Sequence, residues 1–227
     1  MTSAERAAAL PDLPDAAREA LLGALDETER KALLDRWESW ARPEQLPPPG
    51  DWRAWLICAG RGFGKTRAGA EWVRQIAATN PEARIALVGN SLGEARAVMV
   101  EGESGLLACH GAGARPQYES SLRRLVWPNG AQAWLFSAGE PESLRGPQHS
   151  HAWCDEIAKW ENANDRAVSA WNNLQLTMRL GETPRVLATT TPRRAPLMQR
   201  LMHEAQRGKV VLATGRTTDN SDVLPAD

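Results

Sequence analysis

The stretch from Ala54 to Val73, AWLICAGRGFGKTRAGAEWV, constrains this chain more than any other. An apolar run enters Gly60-Arg61-Gly62-Phe63-Gly64-Lys65-Thr66, and a helix-compatible segment follows without a break. Such a run predicts a buried strand, a glycine-rich turn and a helix in direct succession. Glycines let successive backbone N–H groups curve around phosphate oxygens, and the helix N-terminus adds a favourable dipole. In a loop of this kind Lys65 reaches the terminal phosphates and the Thr66 hydroxyl binds Mg²⁺. Residues Gly60, Arg61, Gly62, Phe63, Gly64, Lys65 and Thr66 are therefore the candidate nucleotide-binding set. The pattern departs from the full phosphate-loop motif at Ala59, which stands where the first glycine is expected. A turn that binds nothing is the competing reading, and the Gly64-Lys65-Thr66 ending between strand and helix disfavours it.

Lysine is scarce in this chain: Lys31, Lys65, Lys159 and Lys209 are all there are. A lysine inside the glycine-rich loop is thus not background. The net charge of −1 offers no broad basic surface, so DNA contact, if any, must come from local arginine clusters or another domain. No apolar run reaches the roughly 18 residues of a membrane span, and the start is charged and Pro-punctuated, unlike a signal peptide. Cys58, Cys109 and Cys154 lack metal-like spacing and read as reduced residues of a cytoplasmic protein.

Residues 14–41 predict two helices, DAAREALLGAL and ETERKALLDRWESWA, with Leu33, Leu34, Trp37 and Trp40 or Ala41 forming one apolar stripe. The Pro-rich segment 42–52 ends this part. Beyond it, strand and helix signals alternate. Strands are expected at 54–59, 83–90, 150–156, 184–192 and 209–215, and helices at 66–78, 91–100, 164–179 and 196–207. The runs LRRLVW and AQAWLF, separated by Pro128-Asn129-Gly130, predict a hairpin. This alternation argues for an α/β fold, a mainly parallel sheet flanked by helices, with its site at the carboxyl ends of the strands.

His151-Ala152-Trp153-Cys154 leads to Asp155-Glu156. A carboxylate ending an apolar strand near a phosphate loop suits a Mg²⁺ water shell, and a second one beside it suits activation of water. Asp155 is accordingly assigned to the metal and Glu156 to the general base. Thr189-Thr190-Thr191 end another strand; their hydroxyls suit sensing of the γ-phosphate, although threonines are also simply good strand formers. Arg61 and Arg145 are both candidates for neutralising charge in the transition state. His149 and His151 have no metal-ligand partners and read as packing residues.

Taken in order, WARPEQLPPPGDWRAWLICAGRGFGKTRAGAEWVR, ESLRGPQ, HAWCDE and LATTTPR resemble the ATPase domain of the large terminase subunit of tailed bacteriophages and gene transfer agents. The resemblance spans residues 39–194. It implies a P-loop NTPase of the RecA/ASCE-like class that uses ATP and Mg²⁺ to drive double-stranded DNA into a capsid. The partners it implies are a portal protein and a small terminase subunit, in the cytoplasm of a bacterial host. It also implies a homo-oligomeric ring on the portal and a monomer alone. Gln45 falls where the family has an adenine-side glutamine, and Arg61 matches the loop arginine. Arg145 resembles the arginine proposed to reach a neighbouring subunit's ATP, and Thr189, Thr190 and Thr191 resemble the coupling motif. The domains expected are a helical extension (1–45), the ATPase domain (46–216) and the start of a linker (217–227) to the nuclease domain that the family usually carries. No nuclease activity is expected of this chain. Two other classes compete: a superfamily-2-like helicase or translocase fragment, which would need a second RecA-like domain, and a nucleotide-binding module without motor activity.

Overall fold

The computed structural model describes residues 9–10, 13–34, 36–110, 113–160 and 163–215, so the linker expected at 217–227 lies outside them. The chain divides into two compact units, Met1–Leu46 and Pro47–Asp227.

In the first unit, helix α1 (Asp15–Gly23) is followed by α2 (Glu27–Leu34) and by 3₁₀ turns at Trp37–Ser39 and Pro43–Gln45. Helix α2 opens with a reciprocal cap. The Asp26 side chain accepts the Glu29 N–H (2.8 Å), and the Glu29 carboxylate accepts the Asp26 N–H (3.2 Å). The second helix is shorter than its sequence predicts. Arg36 adopts extended backbone (φ −83°, ψ 130°), and the Ser39 hydroxyl donates to the Leu33 carbonyl, an acceptor that continued helix would have used. The expected apolar stripe splits as a result. Leu33, Trp37 and Ala41 are buried, whereas Leu34 and Trp40 are exposed.

The second unit is built on one eight-stranded sheet. Its strands are β1 (Ala54–Ala59), β2 (Arg84–Gly89), β3 (Gln117–Glu119), β4 (Arg124–Val126), β5 (Gln132–Ser137), β6 (His151–Cys154), β7 (Arg185–Thr190) and β8 (Val211–Gly215). Their order is β3-β4-β5-β2-β6-β7-β1-β8. From β5 to β8 every neighbouring pair is parallel; β3, β4 and β5 pair antiparallel at one edge. The helices are α3 (Lys65–Thr79), α4 (Arg166–Thr177) and α5 (Pro196–Gln206). Between β2 and β3 a helical turn at Leu92–Glu94 continues as a π-helical segment, Ala95–Val100. The helix expected there is present with a widened turn, and β3 is a strand that the sequence reading does not contain.

Strands with helices on both faces are continuously apolar rather than alternating, and β1 is buried at all six positions. On one face Leu56, Cys58, Val88 and Cys154 share a core cluster with Trp171 and Leu174 of α4 and Leu197 and Leu201 of α5. On the other, the fully buried Trp153 of β6 meets α3 at Gly69, where an added Cβ would collide with the indole. Glycine is required there for helix and strand to approach this closely. The packing fixes β6, and hence Asp155 and Glu156, against the helix that begins at the phosphate loop. Among the described residues no helix is long and apolar enough to cross a membrane.

Candidate functional site

Strand β7 lies between β1 and β6, which brings three strand ends together at the carboxyl edge of the sheet. Strand β1 delivers the loop Gly60–Gly64, β6 delivers Asp155 and Glu156, and β7 delivers the three threonines. The acidic and threonine strands pair in register from His151 with Arg185 to Cys154 with Ala188.

Gly62 (φ 75°) and Gly64 (φ 83°) take left-handed backbone, Gly64 immediately before the first residue of α3. That conformation turns the loop into the helix and favours glycine. Phe63 between them is 1% exposed, and its ring lies so close against Gly215, at the end of β8, that an added Cβ there would overlap it. Gly60 N–H donates to the Gly215 carbonyl (3.3 Å), so the loop is stapled to β8 at two points. The Phe63 side chain thus anchors the loop, and any share it takes in phosphate binding falls to its backbone.

Arg61, Gly62, Lys65, Glu156 and Thr191 line one cavity of about 440 Å³. Thr66 and Asp155 line a second of about 180 Å³, and Glu156 borders both. Lys65 Nζ donates to the carbonyls of Ala59 (3.1 Å) and Gly60 (2.9 Å) and stands 3.7 Å from Glu156 Oε1. Burial pulls the Lys65 pKa below the ordinary lysine value, opposed by the carboxylates of Glu156 and Asp155. Burial also pushes the Asp155 carboxyl up to about 6, against the Thr189 hydroxyl, which lowers it.

Each threonine grips a different part of the acidic loop. Thr189 Oγ1 donates to Asp155 Oδ1 (2.6 Å) and accepts from Trp153 Nε1 (3.3 Å). Thr190 Oγ1 accepts the Ala158 N–H (3.1 Å). Thr191 donates both its N–H (3.2 Å) and its hydroxyl (3.1 Å) to the Glu156 carboxylate. Glu156 itself sits at φ 48°, ψ 48°, a left-handed conformation that costs a non-glycine residue about 1–3 kcal/mol. The Lys159 N–H bond to its carbonyl (2.8 Å) and the clasp from Thr191 hold it there.

Of the predicted site residues in the second unit, Arg145 is held elsewhere. Arg145 Nε donates to Asn173 Oδ1 (3.1 Å) and its Nη1 to Glu142 Oε2 (2.8 Å); its side chain is 62% exposed and lines neither cavity. Gln45 is buried within the first unit, where its Oε1 accepts the Arg42 N–H (2.8 Å). His149 and His151 are packing residues. His149 is fully buried with its ring edge-on to Phe136, His151 packs against Trp72, and burial holds both near a pKa of about 4, as neutral imidazoles. The cysteines are free thiols, Cys58 and Cys154 buried and Cys109 partly so. Sequence reasoning misses Lys159 and Arg193, which also line the larger cavity. Their positions, three residues after Glu156 and two after Thr191, are the only signal that would have found them.

The residues fit a Mg²⁺–nucleotide. Among the described residues no group of three or more His, Cys, Asp or Glu side chains could hold a metal alone. Mg²⁺ in such enzymes takes one or two protein ligands and completes its shell with phosphates and water. The pair Thr66 and Asp155 matches that need, and the cations of the larger cavity match a polyphosphate.

Similarity to known proteins agrees with this geometry. Residues 56–220 match the family model described as "Terminase large subunit, T4likevirus-type, N-terminal". The large terminase of a thermophilic bacteriophage, solved in complex with ADP, superposes with a TM-score of 0.62 at 15% identity over 86% of this chain and 46% of that one. The ATPase domain of the Thermus phage P74-26 large terminase gives 0.61 at 14% identity, over 92% of this chain and 88% of that one. The N-terminal domain of the DNA packaging ATPase of bacteriophage phi29 gives 0.55 at 18% identity, over 76% and 93%. At these identities the likeness is one of fold. The chain spans about half the length of the ADP-bound terminase, and no curated protein matches it. With a family model that covers most of its length, and a fold shared with the solved domains, the chain belongs to the terminase large subunit family, whose N-terminal part it matches.

Proposed function

We propose that this chain hydrolyses Mg²⁺-bound ATP and that the hydrolysis drives double-stranded DNA into a capsid through a portal. The observation that carries the reading is the meeting of Lys65, Glu156 and Thr191 in one cavity, beside a second that holds Thr66 and Asp155. Backbone N–H groups of Arg61–Lys65 and the Lys65 ammonium hold the β- and γ-phosphates, which draws Lys65 away from Glu156. Glu156, released from that ion pair, takes a proton from water as the water oxygen bonds to the γ-phosphorus. The bond from that phosphorus to the β–γ bridging oxygen breaks, and ADP leaves with the oxygen. Thr66 and Asp155 are the residues that would hold Mg²⁺, which when bound supplies positive charge to the phosphate oxygens.

Thr191 binds Glu156, and Thr189 binds Asp155, so a change at either carboxylate is transmitted directly to β7. This supports a coupling role for Thr189, Thr190 and Thr191. Arg145, exposed and outside both cavities, suits action on a neighbouring subunit's ATP in a ring, while Arg61 lines the cavity of its own subunit. Gln45 is assigned to the adenine side on the motif resemblance. A cytoplasmic setting, a small terminase subunit as partner, the domain limits 1–45 and 46–216, and a monomeric state in isolation belong to the same reading.

The test is ATP turnover by the pure chain alone, with linear duplex DNA, and with DNA plus portal rings. Turnover is expected to be slow alone and to rise by about two orders of magnitude or more on the portal, where an arginine in trans becomes available. Full stimulation by DNA without portal would favour the helicase reading. Tight nucleotide binding with no turnover under any condition would leave a binding module.

A further inference from the structure

Three cations around the larger cavity are uncommitted. Among the described residues Arg61, Lys159 and Arg193 make no ion pair and no side-chain hydrogen bond, whereas Lys65 is engaged with Glu156 and two carbonyls. Lys159 differs from the other two in where it stands and in how it is held. It borders both cavities, which Glu156 alone shares with it, while Arg61 and Arg193 border only the larger. Its backbone belongs to the 3₁₀ turn Ile157–Lys159, fixed at four points. Lys159 N–H donates to Glu156 O (2.8 Å), Ala158 N–H to Thr190 Oγ1 (3.1 Å), Trp160 N–H to Ile157 O (3.3 Å) and Trp160 Nε1 to Asp155 O (3.0 Å). Ile157, Ala158 and Trp160 are buried around it while Lys159 itself is exposed. The side chain therefore has a rigid root and a free ammonium.

We infer that Lys159 is a further catalytic cation, its ammonium meeting the γ-phosphate of ATP, within one subunit, where the two cavities join. The inference rests on the ATP-hydrolysing reading above. As the bond to the bridging oxygen breaks, negative charge spreads over the phosphoryl oxygens, and a preorganised cation beside them stabilises the transition state more than the ground state. The turn that presents Lys159 begins one residue after Glu156, so the cation and the base keep a fixed spacing. Lys159 thus supports the slow turnover of a lone subunit, and Arg145 the faster turnover of the ring.

The test uses Lys159→Ala and Lys159→Arg in this chain, with thermal melting to confirm the fold. Binding of ATP-γ-S and of ADP is measured by calorimetry with Mg²⁺, and kcat and KM for ATP without portal. The alanine variant is expected to lose about 10-fold in ATP-γ-S affinity, to keep ADP affinity within about two-fold, and to lose about 100-fold in kcat. Arginine should recover part of the kcat, because it restores charge at a different reach. Equal loss for both nucleotides, loss for neither, or an alanine variant that turns over at the parent rate would overturn the inference. A parent chain that binds ATP without hydrolysing it would defeat the functional reading instead, and the contrast between ATP-γ-S and ADP would still decide whether Lys159 meets the γ-phosphate.

Discussion

Lys65→Ala is expected to lower the affinity for Mg²⁺–ATP by about 100-fold or more, the scale for truncating one member of a buried, hydrogen-bonded charge pair. Lys65 is 7% exposed, roots in the first turn of α3 and reaches back across the loop to the carbonyls of Ala59 and Gly60. Its removal leaves the phosphates without the cation on the loop's axis, and leaves Glu156 without its 3.7 Å partner. Arg61 does not replace it, because its side chain starts from the exposed part of the loop. Calorimetry with Mg²⁺–ATP, on a variant whose circular dichroism matches the parent, is the check. Unchanged affinity in a folded variant would refute the phosphate-loop assignment.

Glu156→Gln separates chemistry from binding. The amide keeps the shape of the side chain and one oxygen for the Thr191 N–H, with its NH2 able to donate to the Thr191 hydroxyl, but it no longer accepts a proton. Turnover is expected to fall by about two orders of magnitude or more, with Mg²⁺–ATP affinity within a few-fold of the parent. Asp155→Asn should instead raise the Mg²⁺ concentration needed for half-maximal turnover, since Asp155 shares its cavity with Thr66. A Glu156→Gln chain that hydrolyses ATP at the parent rate would place the base elsewhere.

Much of the second unit is legible in the sequence because its signals are local. The predicted strand 54–59 coincides with β1, the hairpin around Asn129-Gly130 forms as β4 and β5, and the strands that lead to Glu156 and Thr191 lie side by side. Apolar runs bounded by glycine and proline carry that information in a few residues each. The rest depends on partners distant in the chain. Strand β3 is three residues, Gln117–Glu119, and is a strand only by pairing with β4. Insertion of β7 between β1 and β6 is a matter of sheet order, which local periodicity does not encode. The Ser39 hydroxyl that ends the second helical signal early reads as an ordinary helical serine until its bond to Leu33 is seen. Within the site, Lys65, Thr66, Asp155 and Glu156 follow from motif chemistry. The clasp of Thr191 on Glu156, the docking of Phe63 on Gly215 and the free ammonium of Lys159 are products of packing. The roles of Arg145 and Gln45 come from resemblance, and Arg145 lines neither cavity.

Cleavage of the γ-phosphate from ATP in the cavity between the phosphate loop and the Asp155-Glu156 pair is the central claim. Single-turnover phosphate release tests it most directly, with enzyme in excess over labelled ATP, in Mg²⁺ and in chelator. The expected result is release of the γ-phosphate from the bound ATP in Mg²⁺, with little or no release in chelator or from the Glu156→Gln chain. Bound ATP recovered intact in Mg²⁺ from the parent chain, while its binding still requires Lys65, would contradict it.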